Sequence, residues 1–172
     1  MCIRDRYGSF ERKQLAFDLG DAFGAGDALS YRLVGVALDS DDQDKYPTGD
    51  KINRKRLYLA PSLRWQPSAA TSLTLLGEYI KDKSGEDPYY FAKDYKLTDV
   101  KMGDPGFSRI NREQSSIGYQ FEHRFNDAWT FRQNFRYSHL SLDRRVVWTD
   151  EVNEDVTAIT RVARSWDDPR CV

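Results

Sequence analysis

Apolar and polar residues alternate along much of this chain with a period of two, the pattern of strands that show unlike environments on their two faces. The stretch 112–125 is the clearest. Ile117, Tyr119, Phe121, His123 and Phe125 fall on one face, and Arg112, Gln114, Ser116, Gly118, Gln120, Glu122 and Arg124 on the other. Asn126, Asp127 and Ala128 then supply a tight turn. The run 129–138 repeats the pattern, with Trp129, Phe131, Phe135 and Tyr137 opposite Thr130, Arg132, Asn134, Arg136 and Ser138. Gln133 is the one polar residue on its apolar side.

An earlier hairpin has the same form. Leu57, Leu59, Pro61, Leu63 and Trp65 face one way, and Arg54, Arg56, Tyr58, Ala60, Ser62, Arg64 and Gln66 the other. After a turn at 67–70, Leu73, Leu75, Gly77 and Tyr79 alternate with Ser72, Thr74 and Glu78, while Leu76 and Ile80 blur the polar side. Pro61 lacks an N–H to donate and points to an edge or a local irregularity. The first hairpin reads as one strand over 7–20, a turn over 21–28 containing Gly24 and Gly26, and a strand over 29–38. There Leu29, Tyr31 and Leu33 oppose Ser30 and Arg32, while Val34, Val36 and Leu38 spoil the polar face. A seventh strand is expected from about Val156 to Arg164.

The predicted fold is therefore all-β, an antiparallel meander of about six or seven long strands. Its connections alternate: short turns at 20–28, 67–70 and 126–128, long polar links at 39–53, 81–111 and 141–155. Long strands, one apolar face, one Arg-rich face and this alternation are the marks of an outer-membrane barrel. In hydrocarbon every backbone polar group must be bonded within the protein, so only helices or a closed barrel cross it. The apolar stripe then faces lipid, and Arg32, Arg56, Arg64, Glu78, Glu122, Arg132 and Arg136 face a wet lumen. Trp65, Trp129 and Tyr119 are expected near the membrane interfaces. A soluble antiparallel sheet with one wet face is the alternative. It requires Leu57, Leu59, Leu63, Trp65, Phe121, Phe131 and Phe135 to meet across a dry core.

Composition narrows the choice. In 172 residues the net charge is −1, so no global basic field argues for nucleic acid. No apolar run reaches the roughly 20 residues of a membrane helix. Aromatic residues make up 13%, too many for a disordered chain with this patterning. Cys2 and Cys171 lie beside the two ends and read as incidental rather than as a disulfide framework. Residues 1–6 and 165–172 read as non-native or truncated ends, leaving 7–164 as the barrel section.

The segments Leu57-Tyr-Leu-Ala-Pro-Ser-Leu-Arg-Trp65 and Thr71-Ser-Leu-Thr-Leu-Leu-Gly-Glu-Tyr79 resemble the barrel of TonB-dependent siderophore receptors. Arg112 to Asp127 and Trp129 to Asn134 resemble the barrel hairpin that follows, and Tyr31 to Ala37 the one before. The resemblance covers most of 7–164, keeps the order of segments, and is strongest to the ferrichrome-type, hydroxamate branch. It implies an open, mid-barrel section of a barrel of about 22 strands, filled by a plug domain. Such receptors sit in the cell outer membrane among its lipids. They bind ferric siderophores outside and import them with energy relayed by the TonB complex. The ferric siderophore is then a transported ligand rather than a cofactor.

Ligand chemistry is expected in the loops. The link 81–111 carries Tyr89, Tyr90, Phe91, Tyr95 and Phe107 with Lys93, Lys96, Lys101 and Arg109. Aromatic faces beside cations suit a large, partly apolar iron chelate. The acidic run Asp39-Ser-Asp-Asp-Gln-Asp44 lacks the glycine and closing glutamate of a calcium loop and reads as a solvated link. Neither His123 nor His139 has a spacing that suggests a metal or a base. No nucleophile–base motif, phosphate loop or zinc-protease motif is present, so no catalytic residue and no enzyme activity is expected. Two alternatives stay open: another outer-membrane barrel (a porin, or a TonB-dependent transporter of a different substrate), and a soluble β-sheet binding module.

Overall fold

The computed structural model describes residues 2–86, 89–152 and 159–171. Eight strands form one antiparallel sheet in near-sequential order: β1 (Cys2–Gly8), β2 (Arg12–Phe23), β3 (Leu29–Lys45), β4 (Lys51–Ser68), β5 (Thr71–Ser84), β8 (Arg109–Arg124), β9 (Thr130–Val152) and β10 (Ile159–Cys171). A separate hairpin, β6 (Tyr90–Lys93) and β7 (Lys96–Lys101), stands in the link between β5 and β8. The meander is as expected, with one strand more than the upper count. The run 7–20 holds a turn at 9–11 and contributes to two strands, β1 and β2. Both end segments are paired into the sheet, Cys2–Gly8 with β2 and Ile159–Cys171 with β9.

The strands are also longer than the alternation predicts. Residues 39–45 extend β3, 51–53 extend β4, and 141–152 extend β9, where polar links are expected. The first of those links shrinks to residues 46–50. The last strand begins at Ile159, and the 153–158 portion of its expected approach lies outside the described residues.

The register aligns the apolar positions of six strands on one face. One rung runs Tyr31, Leu63, Leu75, Tyr119, Phe135; the next toward the short turns runs Phe23, Leu29, Trp65, Leu73, Phe121. Further rungs carry Leu33 with Pro61, and Ile117 with Tyr137. This belt is not a core. Trp65 is 44% exposed, Phe135 55% and Ile117 65%. The wholly buried apolar side chains among the described residues are Tyr46, Ile52, Met102, Val146 and Val147, all at the loop end. A soluble module would bury Leu57, Leu63, Trp65, Phe131 and Phe135 against a second layer; each is exposed.

The belt has the right height for a bilayer. Residues 57–65 of β4 match the roughly 9–11 residues that a tilted strand needs to cross hydrocarbon. Toward the loops the same face turns charged: Asp39, Lys55, Lys83 and Asn111 form one rung, and Lys81 opposes Glu113 on the next. Trp65 and Trp129 stand at the short-turn border, as expected. Tyr119 does not: it lies within the belt, stacked against Phe135 at 5.8 Å between ring centres. Local packing fits the belt. The Phe17 ring lies over Gly35 so closely that a Cβ there would sit 2.3 Å from Cζ, and Gly77 makes room for the Pro61 ring in the same way. Pro61 is accommodated where its own pairing with β5 is interrupted, since the ladder passes from Leu59–Tyr79 to Ser62–Leu76.

Candidate functional site

The polar face is a ladder of charge pairs between neighbouring strands. Register places Arg32, Arg56, Arg64, Glu78, Glu122, Arg132 and Arg136 together on the face opposite the belt. Arg32 forks onto Asp18 with 2.9 and 2.6 Å bonds. Arg56 does the same to Asp82 at 2.7 and 3.1 Å, and Arg112 shares that carboxylate at 3.2 Å. Arg132 donates to Glu122 at 2.7 Å, and the Gln114 amide reaches Glu78 at 3.5 Å. These are exposed pairs of small individual worth. Near the short turns, Arg64, Ser72, Thr74, Gln120, Glu122, Arg132 and Asn134 line a polar concavity of about 330 Å³.

At the loop end the chain builds a compact cluster. The Tyr46 hydroxyl donates to the Ser108 carbonyl at 3.2 Å and, with Ile52, closes over Gly85, where a Cβ would collide with both. Glu86 is 3% exposed. It receives the Arg144 guanidinium at 2.5 Å and the Tyr89 hydroxyl at 3.1 Å. Tyr89 stacks on Trp148 at 5.2 Å and 15°. Thus Tyr89, read from sequence as a ligand candidate, is held within this cluster by a stacking partner and a hydrogen bond.

The other loop candidates fall into three settings. Phe107 is half-buried, with the Arg145 guanidinium 5.9 Å above its ring. Arg109 beside it is held by Asp143, which it meets at 2.7 and 3.0 Å and which also takes Arg145 at 3.3 Å. Tyr90, at the start of β6, has the Lys101 ammonium 5.2 Å from its ring centre, and Lys101 also pairs with Asp44 at 3.2 Å. Phe91 is half-buried, and its carbonyl accepts the Thr98 hydroxyl at 2.7 Å. Tyr95 stands fully in solvent at the tip of the β6–β7 turn, where Asp94 and Tyr95 both take left-handed backbone angles (φ 49 and 59). The fold therefore groups Tyr89, Phe107 and Arg109 with β9, and sets Tyr90, Phe91 and Tyr95 on the projecting hairpin. Sequence reasoning did not single out Trp148, Glu86, Arg144 or Arg145. Those residues are 36 or more positions away from their partners in the link, apart from Glu86 itself, and only strand register joins them.

The acidic run 39–44 is stitched to the basic start of β4. Asp39 takes Asn53 at 2.8 Å and Lys55 at 3.4 Å, Asp41 takes Lys51 at 2.8 Å, and Asp42 takes Arg54 at 2.5 Å. Lys51 also bonds Glu11 of the first turn. Beyond the belt, the Lys51 ammonium and then the Asn53 amide hold the Asp41 carboxyl below its ordinary range. This cross-strand zipper turns the expected solvated link into paired strand.

No family model matches the chain. It is 31% identical over 160 residues to the ferrioxamine receptor of Yersinia enterocolitica, covering 90% of this chain and 22% of that protein. It is 29% identical over 158 residues to the ferrichrome outer membrane transporter/phage receptor of Escherichia coli strain K12, covering 85% and 20%. The metal-pseudopaline receptor CntO of Pseudomonas aeruginosa is 27% identical over 140 residues, covering 79% and 19%. Among solved structures, the closed form of the ferric-catecholate import receptor Fiu from Escherichia coli K12 superposes with a TM-score of 0.76 at 20% identity, covering 96% of this chain and 26% of that one. The chain thus spans about a fifth of the length of these curated relatives. An outward apolar belt, a charge-laddered opposite face and a match along outer-membrane receptors converge: the chain is a section of outer-membrane β-barrel that is similar to siderophore receptors.

Proposed function

We propose that this section is part of the wall and outer mouth of a receptor that binds ferric siderophores and imports them with energy relayed by the TonB complex. The polar face lines the bore, against a plug domain of the same receptor, and the belt meets outer-membrane lipid. The role is binding and transport rather than catalysis, with the ferric siderophore as cargo. The observation that carries the reading is the extended match to the ferrioxamine and ferrichrome receptors, which spans belt, ladder and loops together. Both names point to hydroxamate chelates as the cargo class.

Support from the loop end is chemical. Tyr95 presents an open aromatic face, Tyr90 an exposed ring with Lys101 over it, and Phe107 with Arg109 sits at the mouth where β8 begins. Such surfaces contact a bulky chelate mainly through ring faces and oriented donors. The match to a metal-pseudopaline receptor favours one further reading, a chelate outside the hydroxamates.

The test is uptake. The full-length protein, expressed in a Gram-negative strain lacking its own hydroxamate receptors, should restore entry of radiolabelled iron from ferrioxamine and ferrichrome, and lose it when the TonB complex is deleted. Uptake from another chelate alone would select the second reading. Diffusive entry independent of TonB would contradict both.

A further inference from the structure

The loop end of the polar face carries more positive charge than its carboxylates cancel. Two rungs lie there: Leu38, Arg56, Asp82 and Arg112 on one, Ser40, Arg54, Ser84 and Ile110 on the next. Arg56 forks onto Asp82, and the same carboxylate receives Arg112 at 3.2 Å, so two guanidiniums share one negative charge. The Arg112 Nε is buried and has no hydrogen-bond partner. Arg12, at the start of β2, donates to the Gln14 amide oxygen at 2.7 Å and meets no carboxylate among the described residues. The other carboxylates nearby are engaged or distant. Asp42 takes Arg54, Asp44 takes Lys101, and Glu86 takes Arg144. Glu78 lies two same-face steps deeper on β5, and Asp168 two strands beyond Arg112, across Leu142.

These charges share one concavity. Arg12, Arg54, Arg56 and Asp82 line a hollow of about 430 Å³ together with the half-buried Leu38 and Ile110. It lies at the end of the sheet where the long connection from β5 to β8 leaves, which is the extracellular end in such barrels. The chain's net charge of −1 conceals this local excess. Like charges gathered in a concave surface focus the field and raise the local concentration of anions. All the cations lining it are arginines or lysines held by strand register, and a guanidinium fork matches both oxygens of a carboxylate. The aliphatic side chains beside it thin the water that would screen such a pair. In a ferric hydroxamate the chelating oxygens are taken up by the metal, so a charge read by this hollow must sit on the periphery of the chelate.

We propose that this hollow is an anion subsite for a free carboxylate on the rim of the incoming chelate, read by Arg12 and by the Arg56–Arg112 couple. The proposal rests on the receptor reading above and adds the charge of the preferred cargo: an iron chelate with a pendant carboxylate over one with a pendant ammonium. Asp82 has a positioning part. It draws Arg56 and Arg112 together and cancels the charge of only one of them.

Three ferric chelates built on one trihydroxamate core separate charge from shape. Ferrioxamine B ends in an ammonium, its N-acetyl derivative is neutral, and its N-succinyl derivative ends in a carboxylate. Binding to the purified full-length receptor is measured by quenching of tryptophan fluorescence. The succinyl chelate should bind at least about tenfold more tightly than ferrioxamine B, with the acetyl chelate between them. In a receptor carrying both Arg12→Gln and Arg112→Gln, shown to be folded by its heat-modifiable band, that ratio should fall to within about threefold. Equal affinities for all three chelates in the parent would overturn the subsite, and that measurement needs no variant. A preference that survives the double substitution would overturn it too, since the charge would then be read elsewhere. TonB-dependent uptake of the same chelates is followed in parallel. Charge-ordered binding without uptake refutes the import reading and leaves the subsite standing, whereas uptake of all three at one affinity refutes the subsite alone.

Discussion

Glu86 is the side chain on which the loop cluster closes. It is buried, and it anchors both Arg144 of β9 and Tyr89 of the link. Glu86→Gln removes the charge and leaves Arg144 unpaired. The local cost should be about 1–3 kcal/mol, confined to the loops. Limited trypsin digestion of the full-length receptor should then cut faster after Lys93, Lys96 and Lys101, with the barrel's thermal unfolding unchanged; an unchanged cutting rate would count against the cluster. Asp41 gives a pH signature. Its folded-state pKa is depressed, chiefly by Lys51, so the pair's contribution is complete above the ordinary carboxylate pKa and fades as pH falls through the depressed one. Amide exchange in the 39–55 hairpin should be insensitive to that pair from about pH 7 to about pH 5 and should lose protection only in stronger acid. The individual loop aromatics were legible from composition, but their roles were not. Nothing local marks Tyr89 as the ring that stacks on Trp148, because that contact depends on pairing over 59 residues of chain.

At the scale of the strand, legibility follows solvent. From 57 to 65 and from 117 to 125 one face meets lipid and the other a polar bore, so sequence alternates and the strands are plain. In 39–45, 51–53 and 141–152 both faces lie outside the hydrocarbon, the alternation vanishes, and strand reads as link. The turn at 9–11 was hidden for another reason: Phe10 and Glu11 take left-handed backbone angles (φ 60 and 53) usually signalled by Gly or Asn. The face assignment has a direct energetic test. Leu75 lies mid-belt between Leu63 and Tyr119, and its chain neighbour Thr74 faces the other way, between Arg64 and Gln120. Leu75→Arg should destabilise the full-length barrel by about 2–4 kcal/mol in liposome refolding titrations, against under ~1 kcal/mol for Thr74→Arg. Equal costs would mean that the two faces see the same medium.

Among the described residues the main sheet is one layer, and no second layer covers its apolar face. Among the described residues β1 and β10 each pair on one side only, so two edges stand open beside an exposed belt. Residues 1–172 produced alone should therefore aggregate on removal of denaturant, even in detergent, and show no compact, heat-modifiable band on electrophoresis. Recovery of such a band would mean that the section closes its own edges. Within a closed barrel, neighbouring strands would pair with both edges and lipid would cover the belt. The most direct measurement of this account is the accessibility of nitroxide labels in the liposome-embedded, full-length receptor at 63, 75, 117 and 135 and at 64, 74, 116 and 134. The first set should collide with oxygen dissolved in lipid and the second should not, giving a period-two alternation along each strand; labels in the first set shielded from oxygen and from polar relaxants alike would show a protein core where lipid is required.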